Sequence, residues 1–317
     1  MTQKNKKYYL GIDIGSISIK TVIVDEKENV LHHSYERSDG MPIKRLKNRL
    51  SKIKPEYIEN VAGVGITGSG RNLAKVYVGA DAVIDEITTQ ATAVLYKYPD
   101  TKTIIEIGGQ DSKIIQLEDG VVRNFAMNTV CAAGTGAFLD QQASRLRIAI
   151  EDFGDIALKS TQPTLIAGRC TVFAETDMIH KQQIGISVED ILAGLCNSLA
   201  KNFVQAVAKN LEIKTPVIFQ GGVAANKAMI KAFNTFLDTE VIIPEFYNVM
   251  PAIGAALMAK EKNPAKTAFK GADFVEKEIE KKVWHCNDCA NECELIDVIV
   301  NGEKLSTTGS VCGKHNK

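Results

Sequence analysis

The first part of the chain alternates between apolar and polar positions in a way that predicts consecutive β-strands. Residues 8–14 form an apolar run typical of a buried strand, and residues 18–25 and 30–36 alternate as two further strands. A basic amphipathic helix is predicted over 43–53 and another strand over 61–66. Strands that give way to helices in this manner indicate an α/β protein.

This opening pattern is repeated later in the chain with a constant spacing. An acidic residue, an isoleucine and a glycine end the first strand, and a lysine follows five residues after the glycine. The same arrangement starts again at residue 103, and all matched positions are 93 residues apart. The matches are Asp13 with Glu106, Gly15 with Gly108, Lys20 with Lys113, and Asp25 with Glu118. We therefore expect two related α/β subdomains with a cleft between them, which is a common place for a ligand.

Strand and helix patterns continue up to about residue 262, where the composition changes. Helices are predicted at 138–146, 187–211, 227–237 and 251–260, and strands at 216–219 and 240–243. Asn263, Pro264 and Gly271 then interrupt the helical pattern as a linker would. The predicted domains are residues 1–262, which hold both subdomains, and a separate cysteine-rich segment at 263–317.

Charge and composition exclude several classes of function. The 317 residues carry 38 Lys and Arg against 38 Asp and Glu, so nothing favours binding to nucleic acid or to an anionic membrane. No apolar run approaches the roughly 20 residues that span a bilayer, and the N-terminus does not resemble a signal peptide. We expect a cytoplasmic protein, in which the seven cysteines point to metal or redox chemistry.

Glycine-rich turns follow three predicted strands, at 11–16, 108–112 and 221–224. Glycine lets the backbone approach an anion, so that unpaired N–H groups can donate to phosphate oxygens. Asp13 is placed to hold Mg²⁺, directly or through water, and Lys20 to neutralise phosphate charge. One such turn would more often be a tight connection only, but three favour a nucleotide, and none has P-loop or Rossmann spacing. The predicted contacts are Asp13, Gly15, Ser16, Lys20, Gly108, Gly109, Gly221 and Gly222.

Five segments in order carry a family resemblance: DIGSISIK, IEIGGQDSK, NTVCAAGTGAFLDQQA, AGRCTVFAETD and FQGGVAAN. The first, second and fifth are similar to the two phosphate loops and the adenosine loop of the acetate kinase/sugar kinase/Hsp70/actin ATPases. More narrowly, all five resemble the 2-hydroxyacyl-CoA dehydratase activators and the related BadF/BcrA-type ATPases. The resemblance covers about residues 7–262.

The resemblance implies a duplicated actin/Hsp70-like (ribonuclease H-like) ATPase fold with a small cysteine-rich C-terminal appendage. It implies a homodimer that binds ATP or ADP with Mg²⁺ and holds one [4Fe-4S] cluster on its two-fold axis. ATP binding and hydrolysis move the helices beside the cluster in such proteins, and an electron passes at low potential to a partner. The partner would be an iron–sulfur dehydratase or reductase component, or a double-cubane cluster protein. An upstream ferredoxin- or flavodoxin-like donor and an anaerobic setting belong to the same expectation.

The resemblance also assigns the ligands of the bridging cluster to Cys131 and Cys170. Two thiols from each subunit complete the four that an iron–sulfur cluster usually takes. Gly134, Thr135 and Gly136 follow Cys131 and bring backbone N–H groups toward cluster sulfide or nucleotide phosphate. Without the resemblance, both cysteines would be ordinary small buried residues.

Two residues of the second turn are predicted to act in hydrolysis. Gln110 is placed to orient the attacking water, and a neutral amide there is a weak activator, which suits a slow switch. Asp111 is a further group expected near Mg²⁺. The alternative for Asp111 is a turn-stabilising hydrogen bond to the backbone.

The C-terminal segment has a cysteine pattern of its own. Cys286, Cys289 and Cys293 form C-x2-C-x3-C, and Cys312 follows Cys293 after 18 intervening residues. A strand at 295–300 and a turn after it are expected to form a ribbon between these groups. The four thiols suit either a tetrahedral Zn²⁺ site or a second [4Fe-4S] cluster, and the alternative is a set of scattered thiols. His285 and His315 flank them and are expected to be solvated.

Two other functions remain open from the sequence. A sugar or acid kinase of the same fold would need an acceptor pocket and a general base but no paired cysteines. A nucleotide sensor with a metal-binding tail would transfer no electrons. Iron in the purified protein distinguishes the ATP-dependent reductase that the resemblance implies from the kinase.

Overall fold

The computed structural model describes residues 6–128, 134–168, 170–271, 279–300 and 302–315. The chain divides into two units, one formed by residues up to Asp85 together with those from Ala255 onward, the other by Glu86–Gly254. Both units combine strands with helices, which confirms the predicted α/β class. Within the described ranges no helix is long and apolar enough to cross a membrane.

The first unit contains a mixed sheet built from the opening strands. These are β1 (Tyr8–Ile14), β2 (Ser18–Asp25), β3 (Val30–Arg37), β4 (Val61–Thr67) and β5 (Ala82–Val83), with helices α1 (Pro42–Leu50), α2 (Pro55–Glu59) and α3 (Arg71–Val78). The spatial order is β3-β2-β1-β4-β5, with β1 antiparallel to β2 and parallel to β4. Every residue of β1 is buried, as its apolar run predicts.

The second unit repeats this arrangement. Its elements are α4 (Glu86–Lys97), β6 (Thr103–Ile107), β7 (Ser112–Glu118), β8 (Val121–Asn128), α5 (Gly136–Leu146), α6 (Ile150–Ala157), α7 (Thr171–Gln183), α8 (Val188–Asn202), β9 (Val217–Gln220), α9 (Lys227–Leu237) and β10 (Val241–Ile242). The spatial order is β8-β7-β6-β9-β10, the same path as in the first unit. Helix α10 (Met250–Lys262) follows, and its residues from Ala255 belong to the first unit.

The duplicated positions occupy the same register in the two hairpins. Asp13 pairs with Lys20 across β1 and β2, and Glu106 pairs with Lys113 across β6 and β7. The strands of both hairpins are antiparallel, so each acidic residue faces its lysine across the ladder. The predicted duplication is therefore confirmed at the level of single residue pairs.

The C-terminal segment forms a small antiparallel sheet of its own. Its strands are β11 (Ile279–His285), β12 (Glu294–Val300) and β13 (Glu303–Thr308), in that spatial order. The strand predicted at 295–300 is thus confirmed within β12. Val298 is buried in the same apolar cluster as β1 and α3, so this sheet packs onto them within the first unit.

One predicted helix is shorter than the sequence pattern indicates. The pattern at 187–211 predicts one continuous helix, but α8 ends at Asn202 and a π-helical turn covers Phe203–Val207. The wider turn is closed by the Ala208 N–H donating to the Phe203 carbonyl at 3.1 Å. A π-turn keeps the apolar spacing close to helical, which is why periodicity alone does not separate the two.

Candidate functional site

The first glycine turn places a lysine and a carboxylate side by side at its base. Lys20 Nζ lies 2.8 Å from Asp13 Oδ2, and the two side chains are 16% and 5% exposed. The turn is closed by the Gly15 N–H, which donates to the Ser18 carbonyl at 2.9 Å. Ser16 is exposed at its tip. The turn therefore holds a lysine ammonium beside an almost buried carboxylate, and these are groups of the kinds that bind phosphate and Mg²⁺ respectively.

A further glycine loop after β4 lies against Asp13. Gly68 has φ +93°, and a Cβ at that position would lie 2.5 Å from Asp13 Oδ1, so only glycine fits here. The Gly70 N–H donates to the Ile14 carbonyl at 2.9 Å, which holds the loop against the end of β1. Sequence reasoning missed this loop. The segment Thr67-Gly68-Ser69-Gly70 at the end of a predicted strand is the pattern that would have indicated it.

The second glycine turn surrounds its lysine with three carboxylates. Lys113 Nζ lies 3.0 Å from Glu106 Oε2, 2.8 Å from Asp111 Oδ2 and 3.0 Å from Glu86 Oε2, and its side chain is 2% exposed. Burial by itself lowers the pKa of Lys113, but Glu106, Asp111 and Glu86 together outweigh it and raise that pKa. Gln110 is exposed in the same turn. Glu86 was not anticipated, because it lies outside every glycine-rich turn.

The start of helix α5 rests on the backbone of this second turn. The Gly136 N–H donates to the Gly108 carbonyl at 2.8 Å, and the Ala137 N–H donates to the Gly109 carbonyl at 2.9 Å. Thr135 precedes the helix and is fully buried. The structure thus brings Gly108, Gly109 and Gly136 together, and Thr135 lies directly before Gly136.

The third glycine turn joins the same group within the second unit. Gly221 lies against the Ile107 carbonyl and close to Glu106 Oε1, and its N–H donates to the Tyr247 carbonyl at 2.9 Å. Gly222 is exposed and starts a 3₁₀ turn. Asn226 then caps α9, because its Oδ1 accepts from the Ala228 and Met229 N–H groups. Two glycine turns, those at Gly108 and at Gly221, therefore lie close to Glu106.

Cys170 occupies the N-cap position of α7 and is half-buried. Its carbonyl accepts from the Ala174 N–H at 3.0 Å, which begins the helix. Val172 and Phe173 in the first turn are both exposed. A thiol at a helix start is favourably placed to carry negative charge, because the first N–H groups and the helix dipole stabilise it. Cys131, its expected companion, lies outside the described residues.

Cys196 provides a contrast within the same unit. It is completely buried in α8, and burial raises its pKa to about 12. A thiol that is buried among apolar side chains with a raised pKa is less reactive than an accessible one.

Comparison with known proteins shows the family of this chain. Residues 10–259 match the model of the BadF/BadG/BcrA/BcrD ATPase family. The chain belongs to this family. The match covers both glycine turns with their lysine–carboxylate pairs and the third turn at Gly221. The resemblance drawn from the five motifs is therefore confirmed.

Similar members of the family are dehydratase activators. The chain is 36% identical over 256 residues to a 2-hydroxyisocaproyl-CoA dehydratase activator of Clostridioides difficile, covering 80% of this chain and 94% of the relative. It is 35% identical over 258 residues to an (R)-2-hydroxyglutaryl-CoA dehydratase activating ATPase of Acidaminococcus fermentans, covering 80% and 98%. The solved 2-hydroxyisocaproyl-CoA dehydratase activator from Clostridium difficile with bound ADPNP superimposes with a TM-score of 0.73 at 35% identity, over 80% of this chain and 95% of that one. The predicted ATPase fold is thus confirmed.

The cysteine-rich segment lies beyond the residues that match the family. Cys286 and Cys293 are buried, and Cys289 and Cys312 are exposed. His315, expected to be solvated, is instead half-buried and bonded through Nε2 to Asp288 Oδ2 at 2.8 Å. The reason is that the chain turns back after β13 and brings His315 over the Trp284 ring.

Proposed function

We propose that this protein is an ATP-dependent reductase component that activates a partner iron–sulfur enzyme. The observation that carries the proposal is a thiol, Cys170, at a half-exposed helix start in a chain that belongs to a family of ATPases whose relatives activate dehydratases. In this role ATP hydrolysis to ADP and phosphate is coupled to passing one electron at low potential from a [4Fe-4S] cluster to the partner.

The nucleotide contacts come from the glycine turns. In the first unit, Asp13 would hold Mg²⁺ and Lys20 would neutralise phosphate charge, and the turn at Gly15 and Ser16 would let the backbone approach the phosphate. The almost buried Asp13 carboxylate beside a partly exposed lysine fits this purpose. In the second unit the proposed contacts are Gly108, Gly109, Gly134, Thr135, Gly136, Gly221 and Gly222.

Hydrolysis is assigned to the second turn. Gln110 is exposed there and would orient the attacking water, and its amide abstracts no proton. Asp111 is bonded to Lys113 Nζ, and this contact fixes the carboxylate at the end of the turn. Its proposed role is to position water around Mg²⁺ and not to act as a strong base. Slow turnover follows, which gives the ATP-bound state time to transfer an electron.

The cluster is proposed to bridge a homodimer, held by Cys131 and Cys170 of each subunit. Such a cluster supplies one-electron chemistry at low potential. The Cys170 position fits, since the first N–H groups of α7 stabilise thiolate and cluster charge, whereas Cys196 is sealed in the core. The exposed Val172 and Phe173 give this helix start an apolar surface suited to contact with a subunit or partner.

The partner is proposed to be an iron–sulfur dehydratase or reductase component, and a ferredoxin- or flavodoxin-like protein would reduce the cluster between turnovers. The dehydratase assignment comes from the names of the relatives. An activator of this kind binds no substrate itself, so the chemistry of the final product belongs to the partner.

Iron analysis of anaerobically purified variants tests the proposal. Cys170→Ala is expected to remove about two iron per chain, half of one shared [4Fe-4S] cluster, while ATP binding is retained. Cys196→Ala is the matched control and should keep both. If Cys170→Ala keeps its iron and its ability to reduce a partner, the cluster assignment is wrong. If the wild-type protein phosphorylates a small acceptor instead, the kinase alternative replaces the proposal.

A further inference from the structure

We propose that the C-terminal segment binds an iron–sulfur cluster of its own through Cys286, Cys289, Cys293 and Cys312. This site is separate from the bridging cluster and does not depend on the proposed function. It lies outside the residues that match the family, and its argument rests on the β11–β13 sheet alone.

The topology brings all four cysteines to one end of that sheet. β12 is antiparallel to both neighbours, so the last residues of β11, the first residues of β12 and the last residues of β13 lie at the same end of the sheet. Three of the cysteines lie in the turn that joins β11 to β12, between residues 286 and 293. Cys312 lies in the segment that leaves β13. Three neighbouring cysteines and one remote cysteine therefore lie at the same end of the sheet.

Backbone contacts hold these two segments together. The Cys286 N–H donates to the Cys293 carbonyl at 2.9 Å, which closes the turn. Gly309 has φ +99°, and a Cβ there would collide with the Glu294 carbonyl, so only glycine lets the chain leave β13 in this direction. The chain then passes close enough for the Val311 N–H to donate to Cys293 Sγ at 3.4 Å.

The sulfur atoms have the surroundings of cluster ligands. Cys286 and Cys293 are 3% and 6% exposed and pack with Leu295 and Trp284. The Val311 N–H donates to Cys293, and Ser310 Oγ lies 3.6 Å from Cys312 Sγ. Hydrogen bonds to sulfur stabilise thiolates and tune the potential of a cluster. In the proposed site the buried Cys286 and Cys293 and the exposed Cys289 and Cys312 hold a cluster at this end of the sheet.

Spacing favours a cluster over one zinc ion. Structural zinc sites usually take ligands as two separated pairs, whereas three closely spaced cysteines and one remote cysteine suit a cubane. A cluster would also stabilise the cysteine end of the sheet, where the buried apolar group around Leu295 is small. A cubane contributes four Fe–S bonds to that end of the sheet.

One rival arrangement is present in the same region. The ligand atoms of Cys286, Asp288 and His315 lie within 4.8 Å of one another and could hold a single ion. Asp288, however, already accepts from Lys314 at 2.7 Å and from His315 at 2.8 Å. Its charge is compensated by Lys314, so a metal ion would have to displace an existing ion pair. The two sites differ in their ligands, and variants distinguish them.

The experiment uses the full chain, purified anaerobically, with Cys170→Ser introduced to remove the bridging cluster. This background is expected to retain about four iron and four sulfide per chain. Cys289→Ser and Cys312→Ser, both at exposed positions, should lose them, whereas Asp288→Asn and His315→Ala should keep them. Far-UV circular dichroism and ATP binding confirm that each variant is folded.

Three results would overturn the inference. About one zinc per chain with no iron would identify a mononuclear site. Iron that is lost in Asp288→Asn or His315→Ala but kept in Cys312→Ser would place it in the rival arrangement. If folded Cys170→Ser protein contained neither iron nor zinc, the four cysteines would not be metal ligands. The bridging-cluster proposal is tested by comparing the iron content of the wild type with that of Cys170→Ser. The C-terminal site is tested by comparing Cys170→Ser with the further variants, so either proposal can fail without the other.

Discussion

The two copies of the duplicated hairpin carry the same lysine–carboxylate pair in different surroundings. Lys20 pairs with Asp13 at 2.8 Å and keeps 16% of its side chain exposed beside the Tyr35 ring. Lys113 is 2% exposed and contacts three carboxylates, those of Glu106, Asp111 and Glu86. One lysine is accessible at a turn and the other is enclosed in an ion cluster.

Because of this difference, the two lysines of the duplicated motif are suited to different roles. A buried lysine that neutralises three carboxylates is costly to remove, since each carboxylate would remain without its counter-charge. A partly exposed lysine beside one carboxylate is more accessible to phosphate than a lysine that three carboxylates enclose. We therefore expect Lys20 to take part in nucleotide binding and Lys113 to hold the second turn in shape.

The largest expected effect is on stability and comes from Lys113→Met. Removing the ammonium leaves Glu106, Asp111 and Glu86 close together and uncompensated, which should lower the free energy of unfolding by about 3–5 kcal/mol. Lys20→Met is the matched control and should lower it by roughly 1–2 kcal/mol, because this change breaks one carboxylate ion pair, that with Asp13, in place of three. Urea denaturation of both variants measures the difference. Equal losses would show that the two copies play the same structural role.

The second expected effect is on ATP turnover and comes from Asp13→Asn. The change keeps the shape of the side chain but removes the charge that would hold Mg²⁺, so turnover should fall about 100-fold, or about 2.7 kcal/mol in activation free energy. Glu106→Gln at the matching position should reduce stability more than turnover. Steady-state ATPase assays at saturating Mg²⁺ test this. Turnover that survives in Asp13→Asn and is lost in Glu106→Gln would reverse the assignment of the two turns.

The third expected effect is on nucleotide affinity and comes from Lys20→Ala. Loss of one phosphate-neutralising cation should weaken ATP binding about tenfold, or about 1.4 kcal/mol. Lys20→Arg keeps the charge and should recover most of the affinity. Calorimetric titration with a slowly hydrolysed ATP analogue measures both. An unchanged dissociation constant in Lys20→Ala would remove Lys20 from the site.

Much of this fold could be predicted because its strands and helices follow patterns of apolar and polar residues that are local in the sequence. The strands at 8–14 and 18–25 have the bounds that the alternating pattern indicates, and helix 227–237 agrees in full. Asp13 and Lys20 are matched by position with Glu106 and Lys113 in the sequence, and the ladder places Asp13 and Lys20 opposite each other. Patterns that depend on neighbours in the chain are the ones that sequence reasoning recovers.

The parts that escaped prediction depend on contacts between distant segments. Helix α4 was missed because Thr89 and Gln90 are buried polar residues, so its inward face does not read as apolar. Glu86, at the start of that helix, reaches Lys113 only after folding. The Gly68 loop reaches Asp13 in the same way. Burial of polar groups is decided by tertiary partners, which a local pattern does not contain.

The smallest expected effect is an absence of pH dependence, and it tests the Lys113 cluster directly. Burial works to lower the pKa of Lys113, but Glu106, Asp111 and Glu86 outweigh it and raise that pKa. A raised lysine pKa contributes stability that is fully present below the unfolded value of about 10.4 and is lost as the pH rises through the folded value. The free-energy difference between the wild type and Lys113→Met should therefore stay constant within about 0.5 kcal/mol from pH 8 to 9.5 and shrink only at higher pH. Urea unfolding across that range, with Lys20→Met as the parallel control, measures it. A difference that already declines from pH 8 would mean that the three carboxylates do not hold the proton on Lys113, and the contrast between the two turns would then rest on burial alone.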